Sequence, residues 1–531
     1  LYQTHSHRSA VLGFVFSSLA LVALAGLAAC GGGTSNSSTS AGGGGGTGTN
    51  NVCSNCGVYS STPYTPTNQP NPYFGMHLHS QSSNTPWPAT VPLTDPEDAS
   101  GFTVDFGGIR LWDSGTGWAE MNSAPGTYDF SHMDGWIQEA ESNNVDILYT
   151  LARTPTWASS NPTDSTCDYA SISGGPGQCY PPTDVKTDGS GADAIWIGWV
   201  TSVVNRYKGQ IKYYEIWNEW NVNLFWRGNA SQLARMTEDA YCVIKGAPSG
   251  ASCNSNSTFP DGTGLDPSAE VLTPSAVGSG TNLYGAQNGT ANLLKATVSG
   301  TTANVGDFSD DVGFHCYVSE PSGAGYPVPE NVLTVLTDLN QAVTGSALQD
   351  KPLFCTEGGW GEAPTENFTD PSLQAAFLAR YYLLQYPLGV SRVYWYAWDA
   401  GASSSGSAAS TGALWTSSSG PSPAATAYAE VYNWIAGSGT PATPTPCAGS
   451  LNGIYTCALT RTGGYSALAV WDSNQAGSCY AAGTPPCGTT FTVPAGYAYS
   501  RDLAGNETPV TAGSSIALTA QPILLETAPL P

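Results

Sequence analysis

Between residues 72 and 435 the hydrophobic positions alternate between two rhythms. Short apolar runs of strand length give way to longer segments whose apolar residues recur every three to four positions. The runs at 73–79, 108–112, 145–151, 212–221, 270–274, 311–317, 351–360 and 390–398 read as eight strands. The segments at 132–142, 192–208, 231–245, 330–343, 371–386 and 424–435 read as helices. In the second of these, Ile195, Trp196, Trp199, Val203 and Tyr207 share one face. Eight strands with helices between them predict an α/β fold, a (β/α)8 TIM barrel. Beyond a Pro-, Gly- and Thr-rich stretch at 437–446 the helical rhythm stops. Short strands at 455–459, 465–471, 489–493 and 523–526 then predict a small all-β, sandwich-like module.

The first seventy residues carry neither rhythm. His5, His7 and Arg8 precede an apolar run at 11–27, followed by Leu27-Ala-Ala-Cys30 and a string of glycines. A basic start, an apolar core and small residues before a cysteine describe an export signal. The pattern resembles the bacterial lipoprotein lipobox, which implies lipidation at Cys30. Residues 31–71 are Gly, Ser, Thr, Asn and Pro, a tether that cannot bury a core. The expected domains are therefore a signal at 1–30, a tether at 31–71, a barrel at 72–438, and a linker with the β-module at 439–531.

Composition narrows the partners. A net charge of −24 with 11% charged residues argues against nucleic acid, whose phosphates call for Lys and Arg. It argues equally against adhesion to anionic lipid through a basic face, leaving the N-terminal lipid as the one expected membrane contact. Of thirteen cysteines, setting Cys30 aside leaves an even number. Cys53/Cys56, Cys167/Cys179, Cys242/Cys253, Cys447/Cys457 and Cys479/Cys487 read as local disulfides of an oxidising, exported environment. Cys316 and Cys355 pair only if their strands are neighbours.

Two strands end on a carboxylate. The first, Lys212-Tyr-Tyr-Glu-Ile-Trp-Asn-Glu-Trp-Asn221, reaches Glu219; the second, Lys351-Pro-Leu-Phe-Cys-Thr-Glu-Gly-Gly-Trp360, reaches Glu357. Carboxyl ends of barrel strands line one mouth, so the two glutamates converge there. Trp217 and Trp220 flank Glu219, and apolar neighbours raise a carboxyl pKa, as a proton donor requires. Glu215, four residues earlier, belongs deeper in the barrel. Paired carboxylates suit glycoside hydrolysis, with retention at a separation of about 5 Å and inversion at ~6.5–9.5 Å. The sequence leaves that distance open. His77 is either a substrate contact or a core histidine. Six histidines without a His-x-x-x-His helix do not suggest a metal hydrolase, and the carboxylate chemistry needs no cofactor.

Glutamates ending strands four and seven, with Asn218 before the first, resemble clan A of the retaining glycoside hydrolases. The Trp-Asn-Glu strand and the appended β-module look most like family 39, with families 5, 30 and 51 as neighbours. The resemblance covers roughly 72–435. It implies Glu219 as general acid/base and Glu357 as nucleophile on a β-linked glycan. It further implies that Asn218 binds the sugar 2-hydroxyl and Arg110 keeps the nucleophile ionised. His315 and Tyr317 would orient the nucleophile, and Trp398 would form the aromatic floor under the sugar. His79, Trp112 and Trp360 are expected at the substrate. The rival expectation is a surface glycan-binding lipoprotein that has lost catalysis.

Overall fold

A computed structural model describes residues 70–93, 103–167, 174–259, 262–278, 293–318, 328–360, 368, 370–399, 412–438, 447–450, 453–461, 463–475 and 489–530. All of them belong to one unit, Gly48–Pro531. The signal-like run at 11–27, Cys30, the tether to residue 69, the Cys53/Cys56 and Cys479/Cys487 pairs and the stretch 439–446 lie outside the described residues.

Eight parallel strands form the central sheet: β1 Phe74–His77, β2 Gly108–Leu111, β3 Asp146–Leu151, β4 Tyr213–Ile216, β5 Glu270–Leu272, β6 Val312–His315, β7 Leu353–Gly358 and β8 Val390–Trp395. Their order is β5-β4-β3-β2-β1-β8-β7-β6. Parallel bridges Leu272–Asp311 and Val277–His315 close the ring between β5 and β6. This is the (β/α)8 barrel expected from the hydrophobic rhythm. Leu148, Tyr213, Leu272, Phe354 and Tyr394 fill its lower interior. The Tyr394 ring lies so close to β1 that a Cβ at Gly75 would meet it at 2.6 Å, so only glycine fits there. Arg392 spans the floor, bonding Asp146 at 2.8 Å and lying 4.5 Å over the Tyr213 ring.

The helices are α1 Trp118–Met121, α2 Ser131–Asn143, α3 Ala194–Tyr207, α4 Ala230–Lys245, α5 Val332–Val343, α6 Pro371–Gln385 and α7 Pro423–Ile435. Several starts are written in the sequence. Asp370 Oδ1 accepts from Ser372 N at 2.8 Å, with Pro371 as the first helical residue. Asn229 and Gln232 exchange bonds of 3.0 and 3.1 Å in a capping box. Helix α6 is buried along nearly its whole length because it is covered twice. Tyr382 stacks on Phe74 of β1 at 5.0 Å, and the C-terminal module covers its other side.

After the hairpin β9 Trp415–Thr416 and β10 Gly420–Pro421 comes the module. Its strands are β11 Cys447–Gly449, β12 Ile454–Thr460, β13 Ser466–Asp472, β14 Thr490–Thr492, β15 Tyr499–Arg501, β16 Glu507–Pro509, β17 Ser515–Ala517 and β18 Ile523–Glu526. Six form a sheet ordered β11-β12-β13-β18-β15-β16, and β14 pairs with β17 in a second, two-stranded sheet. Val470, Leu518 and Leu525 make the small core of the module, with Phe491 and Ile516 packed on it. The opposite face of the large sheet joins the main core through Leu459, Ala469 and Trp471. Trp471 Nε1 donates to Glu330 Oε1 at 2.8 Å, and Glu330 also pairs with Arg380 of α6.

Disulfides join Cys167–Cys179, Cys242–Cys253, Cys316–Cys355 and Cys447–Cys457. The third joins neighbouring β6 and β7, which meets the condition set by the sequence. Among the described residues no helix is long and apolar enough to cross a membrane.

Candidate active site

Neither glutamate sits on a plain strand end. Strand β4 stops at Ile216, and the next residues turn. Trp217 has φ 65° and Glu219 φ 41°. A non-glycine residue in this region costs about 1–2 kcal/mol. Packing holds the turn: Trp217 N donates to Leu151 O at 3.0 Å, its Nε1 to Phe225 O at 2.9 Å, and its ring meets Trp226 at 4.7 Å. On β7, Phe354 faces the barrel interior, so strict alternation would turn Glu357 outward. A register shift intervenes. Phe314 pairs with Cys355 but His315 with Glu357, leaving Thr356 as an extra residue. The bulge brings Glu357 round to the side of His315.

Arg110, wholly buried on β2, ties these elements together. Its Nη1 donates to Glu357 Oε2 at 2.7 Å, its Nε to Glu215 Oε2 at 2.8 Å, and its Nη2 to Asn218 Oδ1 at 2.7 Å. Glu215 also accepts from Thr150 Oγ1 at 2.8 Å. Nη2 lies 3.4 Å from His315 Nε2. Because a guanidinium only donates, Nε2 presents its lone pair and the imidazole proton sits on Nδ1. Nδ1 therefore donates to Glu219 Oε1 at 2.7 Å. The same logic assigns Asn218 Oδ1 to the arginine and leaves its NH2 as the donating end. Tyr317 donates its hydroxyl to Glu357 Oε1 at 2.9 Å.

Burial acts on each group, and the neighbours decide the outcome. It pushes the Glu219 carboxyl up to about 7. It also pushes Glu357 up, with the Arg110 charge pulling the other way. Burial would raise Glu215 too, but there Arg110 prevails and holds it below its ordinary value. Burial lowers His315 to about 4, so the ring is neutral at neutral pH. Of the two mouth glutamates, only Glu357 touches a permanent cation. Glu219 has a neutral imidazole for a partner.

Glu219, His315 and Glu357 each offer one donor atom, and the three atoms lie within 4.8 Å of one another. Such a set can hold a divalent cation. Here the Arg110 guanidinium already brings positive charge to Glu357. The same spacing puts a carboxylate oxygen of Glu219 within 4.8 Å of one of Glu357.

The remaining expected residues divide. His79 donates its backbone N–H to Asp399 Oδ1 at 2.8 Å, and its Nε2 lies 3.0 Å from Asp113 Oδ2. Against burial, Asp113 and Asp399 raise its pKa well above the ordinary value. Trp112 lies under the Arg153 guanidinium at 4.1 Å and lines a small pocket with Trp217, Leu224 and Phe225. Two aromatic expectations need correction. Trp398 is fully buried, donates Nε1 to Pro86 O at 2.9 Å and stacks against Trp415, because β8 ends at Trp395 rather than running to 398. Trp360 is 2% exposed and packs edge-on against Trp395 at 4.9 Å, on the helix side of the barrel. Both rings are buried against other aromatic side chains.

The aromatic that β8 does direct to the mouth is Tyr396, whose hydroxyl donates to Asp113 Oδ2 at 2.6 Å. Both residues escaped the sequence reading. Tyr396 was accessible by alternation, since Arg392 and Tyr394 face inward before it. Asp113 breaks alternation after Trp112 and carried no signal. His77 is a core residue: it is wholly buried, with Nε2 3.0 Å from Thr356 O.

No protein-family model and no curated protein matches this chain. Among solved structures it is similar to a family 39 glycoside hydrolase from the gut symbiont Bacteroides cellulosilyticus WH2. That likeness has a TM-score of 0.55 at 18% identity and covers 86% of this chain and 81% of that one. A glucosidase from Croceicoccus marinus follows, with TM-score 0.49, 14% identity and coverage of 86% and 96%. The family 39 enzyme from Xanthomonas axonopodis pv. citri has TM-score 0.49, 16% identity and coverage of 79% and 87%. At 18% identity the first of these is a likeness of fold, that of the barrel.

Proposed function

We propose that this chain is a retaining glycoside hydrolase of the family 39 type acting on a β-linked glycan. Glu219 is the general acid/base and Glu357 the nucleophile. The observation that carries the reading is that one oxygen of Glu219 lies within 4.8 Å of one of Glu357, an approach that favours the shorter, retaining geometry. Their unequal surroundings support the division of roles, since the arginine and the phenol both point at Glu357.

In the first step a Glu357 oxygen attacks the anomeric carbon as the bond to the leaving oxygen breaks. Glu219 passes its proton to that oxygen, and a glycosyl ester on Glu357 results. In the second step Glu219, now a carboxylate, takes a proton from water, whose oxygen displaces Glu357 from the anomeric carbon. Asn218, with its amide turned by Arg110, donates to the sugar 2-hydroxyl. The reaction requires no cofactor. Disulfides are compatible with an extracytoplasmic setting, and export with lipidation at Cys30 completes the proposal.

The test is hydrolysis of aryl β-glycosides and polysaccharides by the exported portion, with Glu357→Gln alongside. Turnover lost in the variant, and a 2-deoxy-2-fluoro glycoside trapped on Glu357 by mass spectrometry, are the expected results. Glycan binding without turnover or trapping would make the chain a binding protein.

A further inference from the structure

Among the described residues the Cys316–Cys355 disulfide occupies a position that the other three do not. Cys316 is the residue between His315, which holds Glu219, and Tyr317, which holds Glu357. Cys355 lies two residues before Glu357, on the near side of the Thr356 bulge. The cystine therefore joins the two strands where their pairing is least regular. The β6–β7 register shifts between Phe314 and His315, and the β7–β8 register shifts between Cys355 and Gly358. A bulge leaves its extra residue unpaired and bends the strand, so the ladder alone is a loose support for Glu357.

The space behind the nucleophile is tightly filled. A Cβ added at Gly358 would come 2.9 Å from Cys316 Sγ and 3.1 Å from Cys355 Sγ, and closer still to the Tyr381 hydroxyl. That hydroxyl donates to Cys316 O at 2.6 Å, and Cys316 N donates to Glu357 O at 2.9 Å. Helix α6, the cystine and the glycine after Glu357 thus form one packed layer directly behind the carboxylate. Both cysteines are wholly buried, so the bond is shielded from thiols in solution.

We infer that the Cys316–Cys355 cystine is a positioning element of the site, holding the His315–Tyr317 end of β6 against the Glu357 bulge of β7. The inference rests on the glycosidase reading above. Tyr317 and Arg110 both serve the ionised form of Glu357, and misplacement by about 1 Å at a reacting group costs on the order of 100-fold in rate.

The experiment compares Cys316→Ala/Cys355→Ala with Cys242→Ala/Cys253→Ala, a disulfide at the end of α4 away from the mouth. Both variants should melt at a lower temperature. Only the first should lose kcat, by about tenfold or more, with KM little changed. Its acidic kcat/KM limb should move toward neutrality as the Tyr317 bond to Glu357 loosens. Identical kcat and pH limbs in the two variants would overturn the inference. If the first variant does not fold, Cys355→Ser alone decides, because it breaks the cystine while nearly filling the same space and keeps the Tyr381 hydroxyl on the Cys316 carbonyl. A lower kcat with the same shift of the acidic limb supports the role, and unchanged kcat and limbs refute it. A wild-type chain without turnover on any glycoside would instead remove the glycosidase reading, and this role with it.

Discussion

His315 Nδ1 donates to Glu219 Oε1 across 2.7 Å, so the proton of a neutral Glu219 is left to its other oxygen. Arg110 sets this arrangement from behind, through the lone pair of His315 Nε2. The role of proton donor proposed for Glu219, aimed by a neutral imidazole, carries a definite pH signature.

With Glu219 held near 7 by burial, the acid form prevails below that pH and is lost above it. The kcat/KM profile should fall on its alkaline side from about pH 7. Glu219→Gln should abolish that limb and reduce turnover about 10²–10⁴-fold on substrates with poor leaving groups. The loss should be far smaller on aryl glycosides whose leaving group needs no proton. Steady-state rates on the two substrate types across pH check this.

Arg110→Met should destabilise the fold by about 3–5 kcal/mol at neutral pH, because Glu215 and Glu357 lose their buried counter-charge. The sign of the pH effect follows from Glu215. Its folded pKa lies below the ordinary value, so the stability it supplies is present above the unfolded value and disappears as pH falls through the folded one. The gap between wild type and variant should therefore narrow in acid. Thermal melts at neutral and acidic pH measure it.

The aromatic residues separate by role. Trp360→Ala and Trp398→Ala remove buried rings and should each cost about 3–5 kcal/mol of stability with KM unchanged. Tyr396→Phe keeps the ring but removes the hydroxyl that Asp113 accepts at 2.6 Å. It should lower kcat/KM by about tenfold or more, the scale of a hydrogen bond to a charged group. Melting curves beside kinetics tell these outcomes apart.

Trp471→Phe tests the seat of the β-module. Losing the indole bond to Glu330 should lower stability by about 1–3 kcal/mol and leave the activity per folded molecule unchanged. Activity lost in step with melting temperature would instead tie the module to the mouth.

The barrel was legible because its signal is repeated. Eight apolar runs with helical segments between them overdetermine the topology, and the caps at Asp370 and Asn229 mark helix starts within a residue or two. The placement of Glu219, Glu357, Arg110, His315 and Tyr317 on or just past strands of one sheet was legible, but the turn at Trp217–Glu219 and the bulge at Thr356 that bring the two glutamates together were not. What escaped depends on local irregularity. Trp398 seemed to extend β8, but the strand stops at Trp395 and the chain then turns the ring into the core. Asp113 sits one residue off the inward alternation of β2. Among the described residues, the four strands of the module that were missed are only three residues each, β11, β15, β16 and β17. At that length cross-strand pairing, rather than residue pattern, defines a strand.

The left-handed backbone at Trp217 and Glu219 sets stability against chemistry in this chain. The residue at position 219 bears backbone strain and hides an ionisable group from water. Asparagine at that position would relieve both burdens at once, since it tolerates the left-handed region and carries no charge. A search for heat-tolerant variants that monitored melting alone would favour that replacement and accumulate chains without the carboxyl proposed as the proton donor. Any thermal improvement of this protein therefore has to be screened with turnover as a simultaneous criterion.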